Sequence, residues 1–415
     1  MHIAIIGAGP TGLTIALKLA LKKHQVVIFE KEKYAGGLIT GFKKKDWEWY
    51  LESFYHHLFT SDKKAIKLIR QLGLKKYLYF QKPKTSIFKN GQINQFDSAL
   101  SLLQFPYLPL ITKIHTGIMT LFLKINNNWL DLEKFKATEG LKEIYGLQTY
   151  KVLWQPLLKS KFGSNYKNIS LAWFWSRLKK RSQKLGYLKG GFQILINKMI
   201  EEIKKNKGRV LFNHEIKSFK KIEKFDRIIF TTPNSIFLKI MNSKLSQEYQ
   251  QKLKKTEMMG AINLVLSLKE SFLIDGTYWL NINEEKFPFV AVVEQTNFVK
   301  DKHYNQEKVL YVGGYYSQNH RYFKMKKEAI LKEWLPYLQK INKEFKKSSI
   351  IDIQLSVNLF AQPIIPINYS KNIFNHKTPI KNVYLTNMQQ IYPWDRGLNY
   401  AVEEGQKIVD EILEE

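Results

Sequence analysis

The chain begins with a short apolar run, His2-Ile3-Ala4-Ile5-Ile6, that leads straight into Gly7-Ala8-Gly9-Pro10-Thr11-Gly12. A helical apolar pattern follows at Leu13, Ile15, Ala16, Leu17, Leu19 and Ala20, then a second apolar run, Gln25-Val26-Val27-Ile28-Phe29, which ends on Glu30. Strand, glycine turn, helix, strand and terminal acid together make the dinucleotide-binding fingerprint, and no other feature constrains the fold as much. Gly7 permits the tight turn, Gly9 lets the backbone approach a pyrophosphate, and Gly12 lets helix and strand pack closely. The helix opening at Pro10 and Thr11 presents free amides and a positive dipole end to phosphates. Glu30 can accept hydrogen bonds from a ribose diol, with Lys31 beside it as a further candidate contact.

Composition excludes several chemistries. There is no cysteine, which removes disulfides, thiolate nucleophiles, cysteine-ligated metals and flavins tethered through sulfur. The nine histidines show no ligand spacing with carboxylates, so no metal site is expected. Net charge is +30, but arginine occurs only at 70, 177, 181, 209, 227, 321 and 396, so 66 − 7 leaves 59 lysines, spread along the whole chain. That distribution reads as compositional drift rather than a focused stripe, and we expect no nucleic-acid partner. The first strand starts at residue 2 and no leader is expected; the absence of cysteine fits a reducing cytoplasm. The most apolar segment, 99–125, is interrupted by Gln104, Pro106, Pro109, Lys113 and His115. It reads as a helix or helix pair in a buried core, with peripheral contact at an anionic membrane surface as the alternative.

The order of elements departs from that of a simple dehydrogenase. A second glycine pair, Gly36-Gly37, precedes Leu38, and residues 61–190 read as mostly helical. Gly190-Gly191-Phe192 opens another amphipathic helix, followed by short strands at 209–212, 214–216 and 226–230, the last running into Thr231-Thr232-Pro233. From 257 to 362 the pattern changes to alternating, aromatic-rich strands with one helix at 326–345, which suggests an antiparallel sheet roofing a pocket. The chain then returns to strand, loop and helix through Thr386-Asn387 and Tyr392-Pro393-Trp394-Asp395-Arg396-Gly397-Leu398.

These pieces, in this order, resemble the flavoprotein family of monoamine oxidases, protoporphyrinogen oxidases and phytoene-type desaturases. The stretches 52–62, 154–163 and 190–192 are similar to its protoporphyrinogen-oxidase-like bacterial members. The resemblance implies FAD bound in extended form. It assigns Gly7, Gly9, Pro10, Thr11, Gly12, Glu30 and Lys31 to the nucleotide half, and Gly36, Gly37 and Leu38 to the diphosphate or ribityl chain. Ile216 and Thr232 fall near the adenine and diphosphate side; Asn387, Trp394, Gly397 and Leu398 fall near the ribityl chain and the flavin. Leu38 stands where the family often has arginine, and Thr386-Asn387 replaces its usual Gly-Asp. The implied fold is α/β. A discontinuous Rossmann-like FAD-binding domain (1–60, 190–240 and 365–415) carries an inserted α+β substrate domain (61–189 and 241–364), part helical and part antiparallel sheet.

The resemblance further implies an FAD-dependent oxidoreductase that moves hydride from a hydrophobic or amine-type substrate to flavin N5, with oxygen or a quinone as electron acceptor. His56 and His57 follow the glycine pair and are candidate catalytic groups, one of the two facing the pocket because neighbours in extended chain point to opposite sides. Tyr392 and Arg396 are the other two candidates, Arg396 because its fork can pair with a carboxylate or phosphate. Packing competes with catalysis as the role of Tyr392 and Trp394. Two alternatives share the fingerprint: a non-redox flavoenzyme of the sugar-nucleotide mutase type, and a flavin-binding scaffold without turnover.

Overall fold

A computed structural model describes residues 1–415. At its centre lies a five-stranded parallel sheet in the order Arg209–Leu211, Gln25–Phe29, His2–Ile6, Arg227–Phe230 and Val383–Leu385. Ile5 sits opposite Ile28 on one side and Ile229 on the other. Because side chains alternate across a strand, the sheet divides its apolar residues between two cores. Ile3, Ile5, Val26, Ile28 and Ile229 face the first helix, Pro10–Leu21, and the helices Gln193–Lys205 and Leu398–Leu413. Ala4, Ile6, Ile228 and Phe230 face the helix Asn234–Met241, through Phe237 and Met241.

A second, seven-stranded sheet runs in the order Ile350–Pro363, Met258–Leu268, Lys308–Tyr316, Ala291–Glu294, Thr277–Ile282, Lys84–Lys89 and Gln92–Gln95. It is antiparallel except where Thr277–Ile282 pairs in parallel with Lys84–Lys89. That last hairpin lies within the stretch expected to be mostly helical. Its turn is Asn90-Gly91, both residues at positive φ (51° and 76°), a pair that suits a two-residue hairpin. Leu264, Leu266 and Val312 pack beneath Trp334 and Leu338 of the helix Lys327–Ile341. Val265, Val293 and Tyr311 point the other way, into the core shared with the first helix. This second face brings the sheet over the nucleotide-type lobe.

The remaining helices form a separate layer. Pro106 and Pro109 break the segment 99–125 into Ala99–Gln104 and Leu110–Ile125, as expected where proline cannot continue a helix. The expectation of a buried core fails for the longer helix, in which only Thr116 and Leu123 are fully buried. Leu110, Ile111, Ile114, Ile118, Leu121, Phe122 and Ile125 are exposed by 49–83%. At about 100° per residue they fall within a stripe roughly 120° wide. The periodicity is that of an amphipathic helix, but the apolar face points outward. No helix is long and apolar enough to cross a membrane.

Candidate functional site

The glycine turn makes an open cradle. Gly7 has φ +108°, and a Cβ there would stand 2.7 Å from Thr231 Oγ1. A Cβ on Gly12 would stand 2.1 Å from the Gly7 carbonyl oxygen, so helix and strand meet backbone to backbone. Around Gly9 no atom lies within 4 Å of the equivalent point. The helix behind it has no side-chain cap, so its first amides point into that open space. Gly36, at φ +118°, donates its amide to the Ala8 carbonyl at 2.9 Å, which lays the second glycine pair along the first turn. Glu30 is fastened across the same turn: one carboxylate oxygen accepts from the Ala8 amide at 2.7 Å, the other from Glu32 at 2.9 Å.

Two more elements border the cradle. Thr232 and Thr386 end neighbouring strands, and each holds a buried hydroxyl without a hydrogen-bond partner. Gly397 precedes Leu398–Leu413, again without a side-chain cap and with nothing within 4 Å of where a Cβ would stand. This C-terminal helix lies against the first because Gly405 leaves room for it: a Cβ there would stand 3.0 Å from the Thr11 carbonyl oxygen.

Beyond the cradle, Tyr55, His56 and His57 follow the short strand Leu51–Glu52. His56 Nδ1 lies 2.6 Å from the Phe54 carbonyl, so Nδ1 carries the proton and Nε2 keeps its lone pair. Burial, with a contribution from nearby Arg396, lowers its pKa to about 4. His57 is lowered to about 3 by burial and by Arg181, His56 and Arg177, and its Nδ1 is buried without a partner. Both imidazoles are therefore neutral near pH 7. Tyr55 packs edge-on against Trp279 at 4.7 Å between ring centroids, and His57 against the same ring at 5.8 Å.

Arg396 donates Nη2 to the Tyr315 hydroxyl at 2.7 Å and Nε to the Ala361 carbonyl. Asp395 pairs with Arg177. Burial alone would raise the Asp395 pKa, but Lys161, Arg177 and Arg396 outweigh it and hold the carboxyl well below its usual range. Lys161, only 5% exposed, has its Nζ 4.9 Å from the Tyr315 ring centroid and 5.4 Å from that of Trp173.

With this geometry in place, the comparison with known proteins is decisive at the level of family. The model of flavin containing amine oxidoreductases matches residues 10–413. The chain belongs to that family. Its cofactor is accordingly FAD, and the open space at Gly9, the two uncapped helix starts and the unpartnered Thr232 and Thr386 hydroxyls suit that group. A solved structure from Exiguobacterium sp. 255-15, provisionally assigned as a protoporphyrinogen oxidase, shares the flavoprotein's fold with a TM-score of 0.78, covering 100% of this chain and 99% of its own at 16% identity. A 4,4'-diapophytoene desaturase of Staphylococcus haemolyticus is 57% identical over 44 residues, 11% of this chain and 9% of its own. An L-amino acid oxidase of Crotalus durissus cumanensis is 30% identical over 112 residues, 26% and 22% of the two chains. The flavoprotein thus spans less than a quarter of the length of these curated relatives.

The expected site residues do not all meet. Gly7, Gly9, Pro10, Gly12, Glu30, Gly36 and Gly37 border one cradle, with a Cβ on Gly37 only 3.4 Å from the Gly9 Cα; Thr11 turns its carbonyl toward Gly405, and Leu38 lies in the short helical turn Gly37–Ile39 that follows. Lys31 instead points to solvent and pairs with Glu32 at 3.3 Å. Ile216 is buried in the apolar core behind the sheet, which leaves its backbone alone to meet a ligand. Asn387 spends both amide hydrogens, on the Thr232 carbonyl and on Asn234, and its oxygen accepts from Gln389, so it braces the strand ends. The Tyr392 hydroxyl donates to Glu133 at 3.0 Å, and its ring packs on Trp129 and Tyr369. Trp394 is stacked between Trp175 and Tyr400, at 5.4 and 6.1 Å.

Glu52, Tyr55 and Lys161 fall in the stretches 52–62 and 154–163 without a site role assigned from sequence, as do Arg177 and Tyr315 elsewhere. Glu52 is fully buried, accepts from Tyr187 and from the Phe192 amide at 2.6 Å each, and has its pKa raised to about 7 by burial. An acid two residues after an aromatic-rich stretch carries no local signal of this kind; Arg177, one of only seven arginines, did.

Proposed function

We propose that this flavoprotein dehydrogenates a hydrophobic or amine-type small molecule, passing hydride to flavin N5 and then electrons to oxygen or a quinone. The observation that carries the reading is the pair of buried neutral histidines: His56, held by the Phe54 carbonyl near Arg396 of the loop that starts the C-terminal helix, and His57, set among Phe59, Tyr278 and Trp279. Bound FAD supplies a two-electron acceptor there. The chain's own part is to position, to exclude water and to place dipoles. The first amides of Leu398–Leu413 would stabilise negative charge that builds on a reduced ring. His56 Nε2, unprotonated, can accept a proton or a hydrogen bond from the substrate. Tyr55, Trp279 and Tyr311 form a dry wall against which a flat or apolar body packs.

The same reading divides the chain into a flavin-holding part, 1–60, 190–240 and 365–415, and a substrate part, 61–189 and 241–364. In support, all five strands of the parallel sheet come from the first set and all seven of the mixed sheet from the second. We further take the protein to act in the cytoplasm, resting on the inner membrane surface through the exposed stripe of Leu110–Ile125. The surface is taken to be anionic because the chain carries a charge of +30 and Lys113 and Lys124 border the stripe on the same helix.

The first test is the absorption spectrum of the purified protein, with acid release of the chromophore, then an anaerobic screen with porphyrinogens, carotenoid precursors and amines. Released FAD that a substrate bleaches supports the reading. Turnover only after prereduction, without net bleaching, points to the non-redox alternative. A protein that neither carries nor takes up FAD overturns it.

A further inference from the structure

Three cations converge on two aromatic rings beside His56. Lys161 Nζ and the Arg177 guanidinium lie over Trp173, at 5.4 and 5.1 Å, while Lys161 and Arg396 lie over Tyr315, at 4.9 and 5.5 Å. Lys161, Arg177 and the two rings sit on Gln155–Phe162, Leu171–Lys180 and Lys308–Tyr316, outside the parallel sheet, while Arg396 directly precedes Gly397 at the edge of the cradle. Asp395 is the one carboxylate paired within the group, and Arg181 also acts on it and on Lys161, so basic groups outnumber the single acid. Its Oδ2 is taken by Arg177, and its Oδ1 is buried without a donor.

Lys161 is the most telling member. It is more than nine-tenths buried, yet no carboxylate, carbonyl or hydroxyl accepts from its ammonium; it has only ring faces. Buried ammonium groups are normally paired, and an isolated one is costly. Burial first, then Arg177, Arg396 and Arg181, push its pKa well below the ordinary lysine range, and the nearby Asp395, which makes no hydrogen bond to it, offsets this only in part. Tyr315, which lies under Lys161 and accepts from Arg396, is also a wall of a cavity of about 310 Å³; the three cations stand behind that wall, and the carboxylates on the cavity's rim are Glu284 and Glu285, the latter paired with Lys159 at 2.6 Å.

We propose that Lys161, Arg177 and Arg396 form an oxyanion subsite that takes the carboxylate or phosphate end of an otherwise apolar substrate. The inference rests on the reading of this pocket as the substrate side of the flavin and narrows it. An arginine fork suits an oxyanion, and an arriving anion would favour the protonated form of Lys161, whereas a cationic amine would meet an excess of basic groups. The aromatic rings around the cluster then hold the uncharged body.

The test uses the FAD-loaded protein and three probes with one ring system: indole-3-acetate, 3-indoxyl phosphate and tryptamine. Each is titrated by the flavin difference spectrum and by the shift in melting temperature. The expected result is that at least one oxyanion probe binds about tenfold or more tightly than tryptamine, the stronger of the two naming carboxylate or phosphate. Lys161→Gln and Arg396→Lys should each weaken that probe by about tenfold or more, with the flavin spectrum retained, while Lys167→Met, on exposed chain, leaves it unchanged. Tryptamine binding as tightly as both oxyanions, no oxyanion binding at all, or full binding by Lys161→Gln overturns the proposal. Loss of FAD from the wild-type protein would instead count against the flavoenzyme reading.

Discussion

Gly36 and Ala8 are joined by a 2.9 Å hydrogen bond from amide to carbonyl, so the second glycine turn is part of the first. The two turns form a single surface, and its glycines differ in what they tolerate. Gly9 has φ −72° and open space where a Cβ would stand, whereas Gly12 has a carbonyl oxygen 2.1 Å away. Gly9→Ala should fold with a stability change of no more than about 0.5 kcal/mol and lose FAD, because its methyl fills the cradle. Gly12→Ala should cost about 1–3 kcal/mol or more by forcing backbone apart. Urea denaturation and the flavin-to-protein ratio separate the two; equal flavin retention in Gly9→Ala and wild type would contradict the placement.

Glu52 should make stability depend on pH. Its carboxyl is raised from the ordinary 4.5 to about 7, so the folded state holds a proton that the unfolded chain has released. Stability therefore falls as pH rises from about 4.5 to about 7 and is not regained above. The full loss is about 3 kcal/mol on the usual conversion. Glu52→Gln keeps contacts to Tyr187 and Phe192 within reach and should flatten the profile between pH 5 and 8, as read by denaturant midpoints.

His56 and His57 should stay neutral across the physiological range, since their pKa values are lowered to about 4 and about 3. The rate of anaerobic flavin reduction should show no break near pH 6.5 from either residue. A break there that disappears in His56→Asn would show that His56 is far more solvated than its surroundings imply.

The apolar stripe gives a prediction at the membrane. Sedimentation with vesicles of phosphatidylglycerol and phosphatidylcholine should fall severalfold in the double variant Ile111→Lys/Ile118→Lys, and also in vesicles lacking the anionic lipid. Both residues are largely exposed, at 83% and 56%, so folding should be little affected. Unchanged sedimentation of the double variant would remove the membrane reading.

Much of the fold can be read from sequence because its signals are local. The turn at Gly7 to Gly12, the strand at Thr277–Ile282 and the helix at Leu398–Leu413 all announce themselves within a dozen residues. The hairpin at Asn90-Gly91 was equally legible and was hidden only by the helical patterns around it. Other features depend on neighbours remote in sequence. Leu110–Ile125 has the same periodicity whether its apolar face is covered or bare, and only tertiary packing decides. Tyr392 stands in a promising loop but is claimed by Glu133, 259 residues away. Lys161 is one lysine among many until Arg177, Asp395 and Arg396 surround it.

The strand order of the parallel sheet also bears on how the protein is made. His2–Ile6 pairs with Gln25–Phe29 early, but its other neighbour is Arg227–Phe230, and that strand in turn waits for Val383–Leu385. Contacts so distant in sequence close slowly, and the C-terminal helix that borders the flavin follows the last of these strands. On the ribosome, the nascent chain must therefore carry a half-built sheet with open edges until Val383–Leu385 emerges, and capture of the cofactor waits for the helix that follows it.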